Sequence, residues 1–179
     1  HLCDRRQRQM CIRDSLYTTG PYPLSYNGWG DVLVIVFFGF VPVGGTYYVQ
    51  ALTWTPDVTI ASLICGLLID TLLVVNNYRD READARSGKR TVIVRFGEKF
   101  GRYFYLMLGI TASLLCLCFL REGHFYAAFL PQLYLIPHFL TWKRMVKIYS
   151  GKKLNSILGE TSRNMLLMGI LIAIGMLIN

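Results

Sequence analysis

Two aspartates four residues apart, Asp80 and Asp84, stand in the stretch Asn76-Asn77-Tyr78-Arg79-Asp80-Arg81-Glu82-Ala83-Asp84. It begins where an apolar run from Val58 to Val75 ends and leads into Gly88-Lys89-Arg90-Thr91. On a helix each residue advances about 100° and rises about 1.5 Å, so the two carboxylates share a face about 6 Å apart along the axis. At that spacing they can hold ions bridged by one diphosphate. Magnesium suits the task, because it takes oxygen ligands and commonly binds through one or two carboxylates plus substrate phosphates and water. Two carboxylates alone would repel an anion. A metal reverses the sign, and Lys89 as a point charge and Arg90 as a fork can contact phosphate directly. Asn76 and Asn77 add neutral donors and acceptors that can orient a carboxylate, hold a metal-bound water or touch a phosphate oxygen.

If the helix continues past Val75, Asp70, Leu73, Asn77, Asp80 and Asp84 share an arc of about 80°, with Arg79 on the opposite side. A charged stretch between spans also serves as a solvated topological signal, so Asp-x-x-x-Asp by itself is weak evidence. Its company with the Asn pair and Gly-Lys-Arg-Thr makes it stronger. Asp70 lies inside the apolar run, where an ionisable group faces a cavity or a partner; a water-reached side chain without a chemical part is the other reading.

The elements that must position these residues are membrane spans. The chain is 53% hydrophobic and 17% charged, too apolar for a soluble domain of 179 residues. A span needs about 17 to 25 apolar residues. Five stretches qualify: Val32 to Val49, Val58 to Val75, Tyr103 to Leu120, Phe125 to Trp142, and Met165 to Ile178 extended by Thr161 to Asn164. The fold expected is an all-α polytopic transmembrane helix bundle of five spans.

The net charge of +8 is not spread as a nucleic-acid-binding surface would be. Arg79, Arg81, Arg86, Lys89, Arg90, Arg95, Lys99 and Arg102 lie between spans two and three, and Lys143, Arg144, Lys147, Lys152 and Lys153 between spans four and five. The intervening loops, Gln50 to Asp57 and Arg121 to His124, hold one Arg and no Lys. By the positive-inside rule the basic loops, and with them the aspartate motif, face the cytoplasm, in a multi-pass protein of the cytoplasmic (inner) membrane.

Residues 1–15, with Arg5-Arg6-Gln7-Arg8-Gln9, have neither a signal-peptide core nor a helical period and are expected to be a non-native or disordered leader. Tyr17 to Asp31 is rich in turn formers and aromatics and is expected as a cytoplasmic loop. Pro42 and Gly44-Gly45 inside span one either allow close helix contact or kink the helix to shape a pocket. Cys3, Cys11, Cys65, Cys116 and Cys118 contain no Cys-x-x-Cys and are expected to be packing residues. His124 and His138 have no ligand-spaced partner. Trp54 and Trp142 fall at span ends, as interfacial aromatics do.

The motif Asn76-Asn77-x-Arg79-Asp80-x-x-x-Asp84-x-x-x-Gly88-Lys89-Arg90-Thr91-x-x-x-Arg95-x-Gly97 resembles the second aspartate-rich motif of the UbiA superfamily of intramembrane prenyltransferases. Tyr17-Thr-x-Gly20-Pro21-Tyr22-Pro23 and Gly28-x-Gly30-Asp31 are similar to the loop before that family's fifth helix, and Gly45-Thr46-Tyr47-Tyr48-Val49-Gln50 to the end of that helix. The likeness runs from Leu16 to the C-terminus and is greatest to the branch that prenylates 1,4-dihydroxy-2-naphthoate in menaquinone synthesis. It implies that the five spans correspond to helices five to nine of a nine-helix prenyltransferase, that residues 16–179 are the C-terminal part of one domain, and that a first aspartate motif belongs to the missing part. It further implies a Mg2+-dependent enzyme that moves a polyprenyl group from polyprenyl diphosphate to 1,4-dihydroxy-2-naphthoate, with loss of diphosphate and carbon dioxide, in contact with membrane lipid and without nucleic acid. The resemblance assigns metal and diphosphate to Asp80 and Asp84, a helper part to Asn77 beside Asn76, and phosphate to Lys89 and Arg90. Asp31, Tyr17 and Tyr22 are expected at the cytoplasmic rim near the acceptor.

Three other readings stay open: a related aromatic acceptor, an inactive scaffold, and part of a transporter or channel, for which Asp70 and the interrupted first span would line an ion path. A chain with one motif of two is expected to have no turnover alone.

Overall fold

The computed structural model describes residues 28–178, and it is helical throughout, with no strand among the described residues. The leader and the Tyr17 and Tyr22 assignments lie outside the described residues. Five helices follow one another: α1 (Gly30–Ala51), α2 (Pro56–Arg86), α3 (Val92–Glu122), α4 (residues 125–148) and α5 (Lys152–Ile178).

In α1 the middle ten residues, Ile35–Gly44, form a π-helix that contains Pro42. Proline has no N–H and crowds the carbonyl a turn earlier, so a shift to wider hydrogen bonding accommodates it. The glycines of this region serve close packing. A Cβ on Gly66 of α2 would come within 2.9 Å of the Ile35 Cα and carbonyl, and one on Gly39 would overlap the Ser62 carbonyl. Backbone-to-backbone approach of this kind joins helices where water exclusion cannot.

Helix α2 starts at Thr55, whose hydroxyl accepts from the Val58 N–H at 3.4 Å, with Pro56 in the first turn. It runs unbroken for 31 residues, about 46 Å at 1.5 Å per residue, against a bilayer core of about 30 Å. Its final turns, with the aspartate motif, therefore project past the apolar layer.

Four helices, α1, α2, α3 and α5, are long and apolar enough to cross a membrane. The stretch expected as a further span, Phe125 to Trp142, is helical but in three pieces. Phe125–Phe129 is α, Leu130–Tyr134 is a 3-10 segment opened by Pro131, and Leu135–Ile148 is α again. Gln132, His138 and two prolines dilute its apolar character. Those polar groups are satisfied between and within helices. Gln132 donates to the Ser113 and Ala128 carbonyls and accepts from the Ser113 hydroxyl; His138 meets the Tyr134 hydroxyl at 2.9 Å and the Leu106 carbonyl at 3.3 Å. Tyr105 of α3 joins Thr161 of α5 at 3.0 Å. Interior polar groups in a lipid-screened bundle need such partners. His138 is thus a packed core residue, and Cys65, Cys116 and Cys118 are free thiols, two of them touching helix carbonyls.

The acidic cavity at the end of α2

The end of α2 is built by its cap. Gly88 has a φ of 78°, which places the Gly88 N–H on the Ala85 carbonyl at 3.3 Å and the Lys89 N–H on the Asp84 carbonyl at 2.9 Å. This is the paired bonding of a Schellman turn, and glycine adopts the left-handed residue without a Cβ penalty. The turn swings Lys89 back over its own helix, so that its ammonium lies 3.5 Å from Asp84 Oδ1. Two residues on, Thr91 caps α3, its hydroxyl accepting from the Val94 N–H. In Gly-Lys-Arg-Thr the outer residues shape the hairpin and the inner two carry charge.

One cavity of about 200 Å3 opens here, lined by Gly28, Gly30, Asp31, Leu73, Asn76, Asn77, Asp80, Asp84, Lys89 and Thr91. The helix does continue past Val75, and Leu73, Asn77, Asp80 and Asp84 of the acidic arc face one space, while Asp70 is fully buried and does not line it. Asn76, Asn77, Asp80, Asp84, Lys89 and Asp31 come together from the sequence candidates. Arg90 does not line the cavity; its backbone carbonyl packs near Gly28 while its side chain is exposed.

Two expectations change. Arg79 does not turn away from the acidic face: it folds onto Asp80, Nε to Oδ1 at 2.8 Å and a terminal nitrogen to Oδ2 at 2.6 Å, because its long side chain spans the rotation that separates neighbouring Cα atoms. Asp31 does not sit on a rim loop. Gly30–Val34 already form the first turn of α1, which leaves Asp31 buried against α2. Sequence reasoning also gave no part to Leu73, Gly28 or Gly30. Leu73 appears on the same helical arc as the aspartates, which was the available signal, whereas nothing local announces that Gly28 and Gly30 fold over that arc.

The flank of α2 beside the acidic arc is tied down by a cationic stack. Arg102 donates to the Tyr78 hydroxyl at 2.9 Å, Arg81 to the Tyr78 carbonyl at 2.7 Å, and Glu98 takes both guanidinium groups at 3.3 and 3.7 Å. Both arginines lie over the Tyr149 ring. The Glu98 carboxylate, hydrogen-bonded to the Tyr149 hydroxyl, raises that phenol above its ordinary range. This clasp fixes the rotation of α2 and hence the direction of the aspartates.

A magnesium ion fits the donor set in one way only. Asp80 and Asp84 offer carboxylate oxygens to one cavity and Asn77 is beside them, yet among the described residues no three His, Cys, Asp or Glu side chains gather closely enough to enclose a metal. Such a wall suits an ion that completes its shell with substrate phosphate and water.

A polytopic helix bundle with a carboxylate-lined cavity where a span leaves the membrane is the class this architecture defines. The sequence profile of the UbiA prenyltransferase family matches residues 11–176, and the chain belongs to that family. It is 36% identical over 166 residues to a 1,4-dihydroxy-2-naphthoate octaprenyltransferase of Haemophilus influenzae, covering 90% of this chain and 53% of that protein. The corresponding Escherichia coli protein is 43% identical over 101 residues, 56% of this chain and 32% of its own length. A 2-carboxy-1,4-naphthoquinone phytyltransferase of Synechocystis is 28% identical over 85 residues, 48% of this chain and 28% of its own. The chain thus spans about half the length of the Haemophilus relative and less of the others. No solved structure matches.

Proposed function

We propose that this chain is the C-terminal part, from residue 16 onward, of a Mg2+-dependent prenyltransferase that moves a polyprenyl group from polyprenyl diphosphate to 1,4-dihydroxy-2-naphthoate in menaquinone synthesis. The observation that carries the reading is the convergence of Asp80, Asp84 and Lys89 on one cavity at the membrane-leaving end of α2, in a chain of this family. Its five helices are read as helices five to nine of nine, all crossing the cytoplasmic membrane, with the aspartate motif on the cytoplasmic side.

Bound magnesium would supply charge neutralisation to the departing diphosphate. Asp80 and Asp84 would hold it with Asn77 as helper and Asn76 nearby, while Lys89 and Arg90 draw the phosphate oxygens. In the transfer the allylic carbon–oxygen bond breaks, its electron pair leaves with the diphosphate, and the electron-rich ring attacks the allylic carbon and loses carbon dioxide. The lipid-facing bundle excludes water that would quench the allylic cation.

The test is prenyl transfer by the full-length protein in membranes, with labelled polyprenyl diphosphate, the naphthoate and magnesium. Asp80→Asn and Asp84→Asn should each lower turnover by at least about a hundredfold while the protein still inserts. Retained transfer by both variants at saturating magnesium would overturn the assignment. The 179-residue chain alone is expected to show no turnover.

A further inference from the structure

Apart from the acidic cavity, a polar cleft of about 220 Å3 lies between α4 and α5. Thr141 and Arg144 line it from α4 and Glu160, Arg163 and Asn164 from α5, with Pro137 and Leu140 as its apolar border. Its charges do not cancel. Arg144 donates to one Glu160 oxygen at 2.7 Å and the Thr141 hydroxyl to the other at 3.3 Å, so both oxygens of the one carboxylate are engaged. Asn164 donates one amide hydrogen to Thr141 at 2.9 Å and keeps the second for another acceptor. Arg163 has no ion-pair or hydrogen-bond partner among the described residues. The cleft therefore presents free donors and one uncompensated positive charge, the complement of an oxyanion.

The level of the cleft in the membrane says which oxyanion. Arg163 stands two residues before the apolar run that opens at Met165, and Arg144 two residues after Trp142, one of the aromatics that mark a span end. Both arginines thus lie at the border of the apolar layer. An arginine there keeps its stem among the acyl chains and extends its guanidinium to the headgroups, where the phosphates are. Leu140 carries the surface inward, since it also borders an almost wholly apolar cavity of about 420 Å3 lined by Leu106 and Ile110 of α3 and by Ile136 and Phe139 of α4. A polar cleft that shares a wall with an apolar cavity suits an amphipathic ligand with a phosphate at one end. With Glu160 engaged, the ammonium of a zwitterionic headgroup finds no free carboxylate, whereas a net negative headgroup meets the surplus charge of Arg163.

We propose that the cleft between α4 and α5 binds an anionic phospholipid, its phosphate held by Arg163 with Arg144 and Asn164 as further donors, and an acyl chain laid over Leu140 into the apolar cavity. The site is separate from the aspartate motif and requires only that the bundle spans a membrane.

The test is native mass spectrometry of the full-length protein in neutral detergent, titrated with dioleoyl phosphatidylglycerol, dioleoyl phosphatidylcholine or glycerol 3-phosphate, reading the affinity of the first molecule bound. Phosphatidylglycerol should bind at least about tenfold tighter than phosphatidylcholine. Arg163→Gln should weaken phosphatidylglycerol by about tenfold to a hundredfold, the worth of a hydrogen bond to a charged group, and leave phosphatidylcholine unchanged. Arg163→Lys, which keeps the charge and loses the fork, should recover part of the loss. Equal affinity of the wild-type protein for the two lipids would overturn the site, a comparison that stands even if a variant folds poorly. Undiminished phosphatidylglycerol binding by a folded Arg163→Gln protein would overturn it as well. Glycerol 3-phosphate, which carries the phosphate without acyl chains, should bind at least about a hundredfold more weakly than phosphatidylglycerol; equal binding would make the cleft a site for free phosphate compounds and overturn the lipid.

Discussion

Asp80 is gripped by the residue next to it in sequence. Arg79 closes on both carboxylate oxygens at 2.8 and 2.6 Å and, through its remaining nitrogen, donates to Asn155 of α5 at 2.9 Å. One guanidinium therefore links the metal-binding candidate of α2 to the last helix, and it occupies the oxygens that a cation would use.

That grip sets up a competition. With the pair partly open to solvent, its worth is at most about 1 kcal/mol, so removing the guanidinium should improve cation binding by no more than about fivefold. Arg79→Gln is expected to lower the half-saturating magnesium concentration of the full-length protein within that range, measured by titrating prenyl transfer. A higher magnesium requirement would mean that Arg79 positions Asp80 for the metal rather than competing with it.

Gly88 makes a second prediction. Its φ of 78° and empty surroundings mean that an added Cβ meets no neighbour, only its own backbone. Gly88→Ala should cost about 1 to 2 kcal/mol in the left-handed region. Because the same turn folds Lys89 over Asp84, the KM for polyprenyl diphosphate should rise while that for the naphthoate stays put. Equal changes in both would place the damage in the bundle as a whole.

The helices and the acidic arc were legible because they follow periodicity: about 100° per residue carries Asp70, Leu73, Asn77, Asp80 and Asp84 to one side whatever surrounds them. The long α2 was legible because no Pro or Gly interrupts the chain between Gly66 and Gly88. What escaped depends on contacts between distant segments. Nothing near Asp31 in sequence says that α1 begins at Gly30, since the Gly-rich turn before it reads as loop; the packing of Gly39 against Gly66, 27 residues apart, draws the two helices together and buries that aspartate. Arg79 escaped for a different reason, since a wheel assigns direction to a Cβ and not to a side chain long enough to curl back.

The same α1–α2 contact predicts a steep packing penalty. Gly66→Val would drive two methyl groups into the Ile35 backbone, where a single Cβ already falls at 2.9 Å. Overpacking commonly costs about 1 to 3 kcal/mol, and here the obstacle is main chain, so the upper end is expected. Thermal unfolding of the full-length protein in detergent should show a clearly lowered Tm. Gly45→Ala, in α1 with nothing within 4 Å of its Cβ position, should unfold at the wild-type temperature.

Whether α4 crosses the membrane decides the side on which the second basic loop lies. Lys143, Arg144, Lys147, Lys152 and Lys153 flank the turn at Tyr149 and Ser150, and another basic cluster, of eight residues from Arg79 to Arg102, surrounds the junction of α2 and α3. If α4 crosses, both loops share the cytoplasmic side and satisfy the positive-inside rule together; if it lies along the interface, the second cluster is stranded outside. The satisfied pairing of Gln132 with Ser113 and of His138 with Tyr134 and Leu106 removes the main cost of placing α4 in the apolar layer. In a background whose five cysteines are replaced by serine, Ser87→Cys and Ser150→Cys should both react with an impermeant thiol reagent from the cytoplasmic side only, and Thr53→Cys and Glu122→Cys from the other. Labelling of the Ser150 position from the same side as Glu122 would show that α4 does not cross and reduce the bundle to four spans.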